Sequence, residues 1–403
     1  MAFRSGRHFL NIPGPSNVPD RVARAMDNPV IDHRGPDFAV LTKEIGAGLR
    51  RVFKTQNPVA IFPASGTGAW EAALLNTLSP GDKVLAFETG QFSTLWRVLA
   101  ERHGLVVEFV PGDWRHPADP AECEKRLTAD KQHAIKAVMV LHSETSTGVL
   151  SPILAIRHAI DRAKHPALLL VDTISSLGTH DYRHDEWGVD VTVGGSQKGF
   201  MLPPGLSFNA VSKKALEANK TAKLGRAYYE WKPMLEANQS GFFPFTPPTT
   251  LFYGLKESIA MLEEEGLDNV FSRQHRLAEA ARRAVRAWGL EILCTDPKAY
   301  ADALTAIVMP EGVNADEVRN LILERFDLSL GAGLGKVAGK VFRIGHLGWT
   351  NDLMIMGALA GIEMGLAAAG VKHKRGGVDA AMEYLAGNTL AAQDSPVAAA
   401  ARR

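Results

Sequence analysis

The sequence predicts an α/β protein: a large domain with a mostly parallel sheet flanked by helices, followed by a smaller C-terminal α+β domain. From about Lys43 to Ala210, amphipathic helical stretches alternate with short apolar runs, as repeated strand-helix units do. Near Glu265 the alternation gives way to one long helical pattern that opens a second region. At 403 residues the chain also exceeds a single typical domain, so a cleft between two cores is available. The expected division is an N-terminal arm over 1–20, a large domain over 21–265, a small domain over 266–370 and a polar, Ala-rich tail over 371–403.

Element by element, Leu41, Ile45, Leu49 and Val52 share one helical face, Val59 to Phe62 reads as a strand, and Thr67 to Leu78 reads as a helix. Further strands are expected at Val84 to Phe87, Val106 to Val110, Ala137 to Leu141, Leu168 to Val171 and Val191 to Val193. In the second region a helix over Asn269 to Trp288 precedes strands at Leu290 to Leu293 and Leu304 to Val308. A helix over Ala315 to Arg325, a strand at Val341 to Ile344 and a last long helix ending near Gly370 follow.

Composition excludes several classes of function. With 45 Lys+Arg against 44 Asp+Glu, the net charge of +1 supplies no field to gather nucleic acid or a membrane surface. The start shows no apolar leader, and Met354 to Gly370, the most apolar long stretch, is interrupted by Glu363. Two cysteines, Cys123 and Cys294, lie far apart in no C-x-x-C pattern, which argues against a disulfide framework or a structural zinc and for a reducing, cytoplasmic setting.

Ligands in open α/β sheets bind at the carboxyl ends of strands, and three segments fall there. Ser65-Gly66-Thr67-Gly68 joins a strand to a helix, where small residues let backbone N–H groups approach an anion; the alternative is an ordinary capped turn. Leu169-Leu170-Val171-Asp172 delivers one carboxylate at a strand end, ahead of Thr173-Ile174-Ser175-Ser176. Val193-Gly194-Gly195-Ser196-Gln197-Lys198-Gly199 runs a buried strand into a lysine. Desolvation lowers a lysine's pKa, and a neutral amine is what forms a Schiff base with an aldehyde cofactor.

In that order, phosphate cradle, Asp and Lys resemble the pyridoxal 5'-phosphate (PLP) enzymes of fold type I, and Gly-Ser-Gln-Lys-Gly resembles the class V aminotransferases. Within that class the chain is most similar to the serine:glyoxylate and alanine:glyoxylate enzymes, from about His8 to Gly370. Supporting stretches are Pro13-Gly14-Pro15-Ser16-Asn17, Glu144-Thr145-Ser146-Thr147-Gly148, Phe245-Thr246-Pro247-Pro248 and Val341-Phe342-Arg343-Ile344-Gly345. The resemblance implies that Lys198 carries the coenzyme and then shuttles a proton, and that Asp172, with Ile174 beside it, pairs with the pyridine nitrogen. It also implies that Ser65, Gly66 and Thr67 hold the phosphate with Gln197 close by, and that Thr246 reaches the phosphate of the partner in a homodimer. Thr145 would donate to the phenolic oxygen, and the backbone near Gly14 would line the substrate pocket. Phe92 falls where the family stacks an aromatic ring on the coenzyme; the alternative is core packing.

Arg343 sits on an expected strand, a costly place for a charge unless it is paired, and its planar fork suits a substrate carboxylate; the alternative is a structural ion pair. His33-Arg34 lies in a segment that the family places near the mouth of the site, and its role stays open between substrate binding and an exposed turn. The implied reaction moves the amino group of L-serine to glyoxylate, giving hydroxypyruvate and glycine, with aspartate or alanine as alternative donors.

Other signals point elsewhere and are set aside. Gly331 to Gly335 imitates a dinucleotide loop but precedes no helix. His180, Asp181, His184 and Asp185 match no metal-ligand spacing and read as a solvated loop, so no metal is expected. A desulfurase would carry His in place of Gln197 and a loop cysteine, and a non-catalytic coenzyme binder would not need Lys198, Asp172 and Arg343 together.

Overall fold

The computed structural model describes residues 5–387. Among them, seven strands form the large sheet in the spatial order Val59–Phe62, Ser207–Val211, Val191–Gly195, Leu168–Asp172, Ile135–Leu141, Lys83–Phe87 and Val106–Val110. All neighbours pair parallel except Ser207–Val211, which runs antiparallel to both of its partners. The central strands are buried on both faces, fully in Leu168–Asp172 and from Ala137 onward in Ile135–Leu141, hence their apolar runs. Helices cover the sheet. In Pro36–Phe53 the face carrying Leu41, Ile45, Leu49 and Val52 is the buried one, with Pro36 at the first helical position.

A second, smaller sheet orders Phe9–Asn11, Leu328–Ala332, Val341–Gly345, Leu304–Val308 and Glu291–Ile292. The first of these corrects the expectation of a separate arm over 1–20: Phe9, Leu10 and Asn11 pair parallel with Leu328, Ser329 and Leu330. The chain therefore begins in the small sheet, crosses to the large one and returns.

The tail expected over 371–403 is also corrected in part. Residues Gly377–Gly387 form a helix that lies on the long helix Leu267–Trp288 so closely that a Cβ on Gly377 would sit 2.1 Å from Trp288 Nε1. Glu363, which interrupts the apolar stretch, anchors it: its carboxylate accepts from Trp288 Nε1 at 2.8 Å, Gly376 N at 2.9 Å and Val378 N at 3.0 Å. The remainder of that tail, 388–403, lies outside the described residues.

In the stretch from His180 to Asp185, expected as a solvated loop, the two histidines are instead enclosed, while Asp185 is exposed and Asp181 half-buried. His184 is fully buried with Nδ1 2.6 Å from Thr192 Oγ1, and burial pushes its pKa down to about 4. His180 Nε2 accepts from the Asp302 backbone at 2.6 Å, while the Asp302 carboxylate takes two bonds from Arg282 at 3.1 Å. Among the described residues no helix is long and apolar enough to cross a membrane.

Candidate active site

Three strand ends of the large sheet converge on one cavity of about 240 Å³. Its walls include Gly14, Ser65, Gly66, Thr67, Phe92, Thr145, Asp172, Ile174, Gln197 and Lys198, together with Pro15, Trp70 and Pro204, to which the sequence assigns no role. A larger hollow of about 530 Å³ opens elsewhere, beside Phe9 and Trp349, but it contains no buried acid and lysine pair, so the chemistry selects the smaller one.

The helix Gly66–Thr77 begins where the strand Val59–Phe62 ends, and Ser65 at its N-cap leaves its hydroxyl free of any capping bond. The first N–H groups of a helix have no partner within it, so this end presents donors and partial positive charge to the cavity. The approach is close: a Cβ on Gly66 would meet Ile174 Cδ1 at 2.2 Å and one on Gly68 would meet Tyr229 Oη at 2.6 Å, so a larger residue at either place would displace those side chains. Gln197 adds a side-chain amide whose Oε1 is buried without a partner. The donor-rich helix start fits an anion such as a phosphate, and toward such an anion it is the NH2 end of the Gln197 amide, not its Oε1, that can donate.

Lys198 follows the strand Val191–Gly195 and is 7% exposed. Burial first, then the charge of Arg343, lowers its pKa to about 7, so a substantial share of the amine is neutral at physiological pH. Its Nζ donates to Pro13 O and, at 3.2 Å, to Ser175 Oγ, whose hydroxyl also bonds Thr145 Oγ1. The N-terminal segment is clipped over this lysine: Ser16 N donates to Gln197 O at 2.9 Å and Ser16 Oγ to Lys198 O at 2.8 Å.

Asp172 ends the strand Leu168–Asp172 at 3% exposure, and burial raises its pKa to about 7. Oδ1 accepts from Ile174 N at 2.6 Å and Oδ2 from Trp70 Nε1 at 2.7 Å. A buried carboxylate with no cation bonded to it suits a partner that brings its own positive charge, as a protonated ring nitrogen does.

Arg343 lies beside the cavity. Nε donates to Ala332 O at 2.8 Å and Nη1 to Thr145 O at 2.6 Å, and burial lowers its pKa to about 10. Arg343 forms no salt bridge among the described residues, although Glu144 lies near enough to favour its charge. Glu144 is itself committed, accepting from the N–H groups of Phe92, Ser93 and Ser146 and from Ser146 Oγ. Within one chain, His33, Arg34 and Thr246 do not line the cavity, and Arg34 and Thr246 are exposed.

The donor-rich helix start, the buried lysine whose pKa is lowered to about 7 and the buried carboxylate together fit a phosphorylated pyridine aldehyde. A model of the family described as Aminotransferase class-V matches residues 8–343. The chain is 51% identical over 395 residues to the serine–glyoxylate aminotransferase of Methylorubrum extorquens, covering 96% of this chain and 98% of that protein. It is 48% identical to the L-aspartate–glyoxylate aminotransferase of Paracoccus denitrificans, covering 95% and 97% respectively. Its fold is similar to that of ureidoglycine-glyoxylate aminotransferase from Bacillus subtilis, with a TM-score of 0.87 at 26% identity, covering 95% of this chain and 99% of that one. The chain belongs to the class V aminotransferases, enzymes that work with pyridoxal phosphate.

Proposed function

We propose that this aminotransferase moves the amino group of L-serine to glyoxylate, giving hydroxypyruvate and glycine. The observation that carries the reading is one small cavity holding a buried lysine and a buried carboxylate, next to an arginine with no carboxylate bonded to it among the described residues. The coenzyme, when bound, supplies an electron sink that stabilises negative charge at the donor's α-carbon. Lys198 Nζ holds the coenzyme aldehyde and, once released, takes the proton from the α-carbon as general base. Asp172 keeps the ring nitrogen protonated. Ser65, Gly66, Thr67 and Gln197 hold the phosphate, Thr145 donates to the phenolic oxygen, Phe92 and Ile174 cover the ring faces, and Arg343 takes the carboxylate of donor and acceptor in turn.

Serine is favoured over aspartate because Arg343, beside the cavity, is taken by the α-carboxylate, no other arginine lines the cavity among the described residues and Arg34 is exposed, so a second substrate carboxylate finds no partner within the chain. The exposed Thr246, beside the stacked Tyr228 and Phe245 rings 4.3 Å apart, supports a homodimer in which this segment completes the partner's phosphate site. Two buried, unpaired cysteines suit a reducing cytoplasm. The test compares kcat/KM for serine, alanine and aspartate with glyoxylate saturating. Serine should lead; a preference for aspartate of about tenfold, equivalent to ~1.4 kcal/mol, would move the donor to a dicarboxylate.

A further inference from the structure

Trp70 lies on the second turn of the helix whose first turn faces the cavity's anion end, and at 3% exposure its indole is enclosed. The ring stacks on Trp96, with centroids 5.8 Å apart and planes 14° from parallel, and meets the Phe92 ring at 6.5 Å and 61°. That packing fixes the indole plane, and the N–H it aims at Asp172 Oδ2 spans 2.7 Å. The other carboxylate oxygen is held by the Ile174 backbone N–H at 2.6 Å. One helix thus contributes to both parts of the cavity, through its N-terminus, which would hold the phosphate, and through Trp70 at the carboxylate.

We propose that Trp70 is a positioning residue that holds Asp172 as an oriented anion, so that the proton it shares with the coenzyme stays on the ring nitrogen. This rests on the reading that Asp172 pairs with that nitrogen. Asp172 is buried, which by itself favours its neutral form, and among the described residues only two N–H donors bond to its carboxylate. A charge-assisted bond from a neutral donor steadies the anion without adding a competing charge. Indole suits the task because it donates only: it cannot accept the proton, and it cannot turn over to present a lone pair as an amide or imidazole can. Without it the carboxylate is more basic and free to turn. The proton then moves toward oxygen, and the ring loses part of its power to stabilise negative charge.

The test uses the holoenzyme loaded with coenzyme labelled with ¹⁵N at the ring. In Trp70→Phe, which keeps an aromatic ring and removes the donor, the ring-nitrogen resonance should move toward the unprotonated position. kcat should fall about ten- to hundredfold, the range set by loss of a hydrogen bond to a charged group, with little change in KM for glyoxylate. Trp70→His, which restores an N–H, should recover part of both. An unmoved resonance in Trp70→Phe, or equal losses in the two variants with the resonance unmoved, would reduce Trp70 to packing and overturn the proposal. Should Trp70→Phe fail to fold, the wild-type chain decides: the indole N–H signal of Trp70 should shift on coenzyme loading, and a static signal refutes the coupling. Asp172→Asn serves as the control for the reading beneath. If the ring nitrogen stays protonated in that variant, the pairing of Asp172 with the coenzyme fails whatever Trp70 does.

Discussion

Replacing Gly14 with alanine should separate activity from stability. An ideal Cβ at Gly14 falls 2.4 Å from Lys198 Cε, 2.5 Å from Cδ and 2.8 Å from Nζ. Carbon atoms sit comfortably at about 3.5–4.0 Å, so the lysine tip must retreat by roughly 1 Å. Because the obstructed atoms are the end of a flexible stem, the clash itself threatens the fold little. The backbone adds a cost, since Gly14 has φ +125°, and holding a non-glycine residue in such a region costs about 1–3 kcal/mol. Catalysis loses more: a displacement of ~1 Å at the reacting group costs on the order of a hundredfold, or ~2.7 kcal/mol. Gly14→Ala should therefore melt only slightly below wild type, while both turnover and the rate at which added coenzyme attaches to the lysine fall about a hundredfold. The assay follows the visible absorbance of the attached coenzyme after mixing with coenzyme-free protein, alongside steady-state turnover with serine and glyoxylate. Attachment and turnover within twofold of wild type would show that the Pro13-Gly14 segment does not abut the working position of the lysine.

Three further outcomes are expected. Arg343→Lys should raise KM for donor and acceptor by roughly ten- to a hundredfold with the coenzyme spectrum unchanged, because a point ammonium cannot reproduce two parallel bonds to a carboxylate; unchanged KM values would make Arg343 structural. The coenzyme-free protein should be least stable near pH 7. Asp172, raised to about 7 by burial, holds a proton in the folded state that the unfolded chain has released, so its contribution falls as pH rises from about 4 to 7. Lys198, lowered to about 7, has released a proton that the unfolded chain still holds, so stability recovers as pH rises from 7 toward 10.5. Denaturation midpoints across that range check this, and a flat profile would refute the two shifts. Finally, dilution of a homodimer should release coenzyme along with the partner, and a monomer that retains full coenzyme in sedimentation would rule out the shared phosphate site.

Much of the site is legible in the sequence because strands buried on both faces read as apolar runs, and the residues just past them must face the ligand end. Asp172, Lys198 and the Ser65 to Thr67 turn all fall by that rule. Trp70 does not. Its helix is buried on nearly every side, so no polar face marks one residue as different, and its role appears only as a distance to a carboxylate 102 positions away. His180 and His184 mislead for the opposite reason: polarity suggests water, yet Asp302 and Thr192 each bond one of their ring nitrogens inside the protein. The strand Phe9–Asn11 is three residues long and finds its partner near the other end of the chain, beyond the reach of local pattern. The helix Gly377–Gly387 is Ala-rich and lightly charged, so its docking depends on Trp288 and Glu363 rather than on any strong periodicity of its own.

The strand at Phe9–Asn11 also sets a schedule. Its partner, Leu328–Ala332, emerges from the ribosome about 320 residues later, a wait of roughly 15 to 60 s at typical rates of synthesis. Through that interval the large sheet can assemble, with Lys198 and Asp172 already in place, while the segment that supplies Pro13 O and carries Ser16 has no small sheet to dock on. The pocket is thus finished only when the segment at Phe9–Asn11 is fastened to a strand made about 320 residues after it, and a nascent chain cannot complete the site before that strand exists.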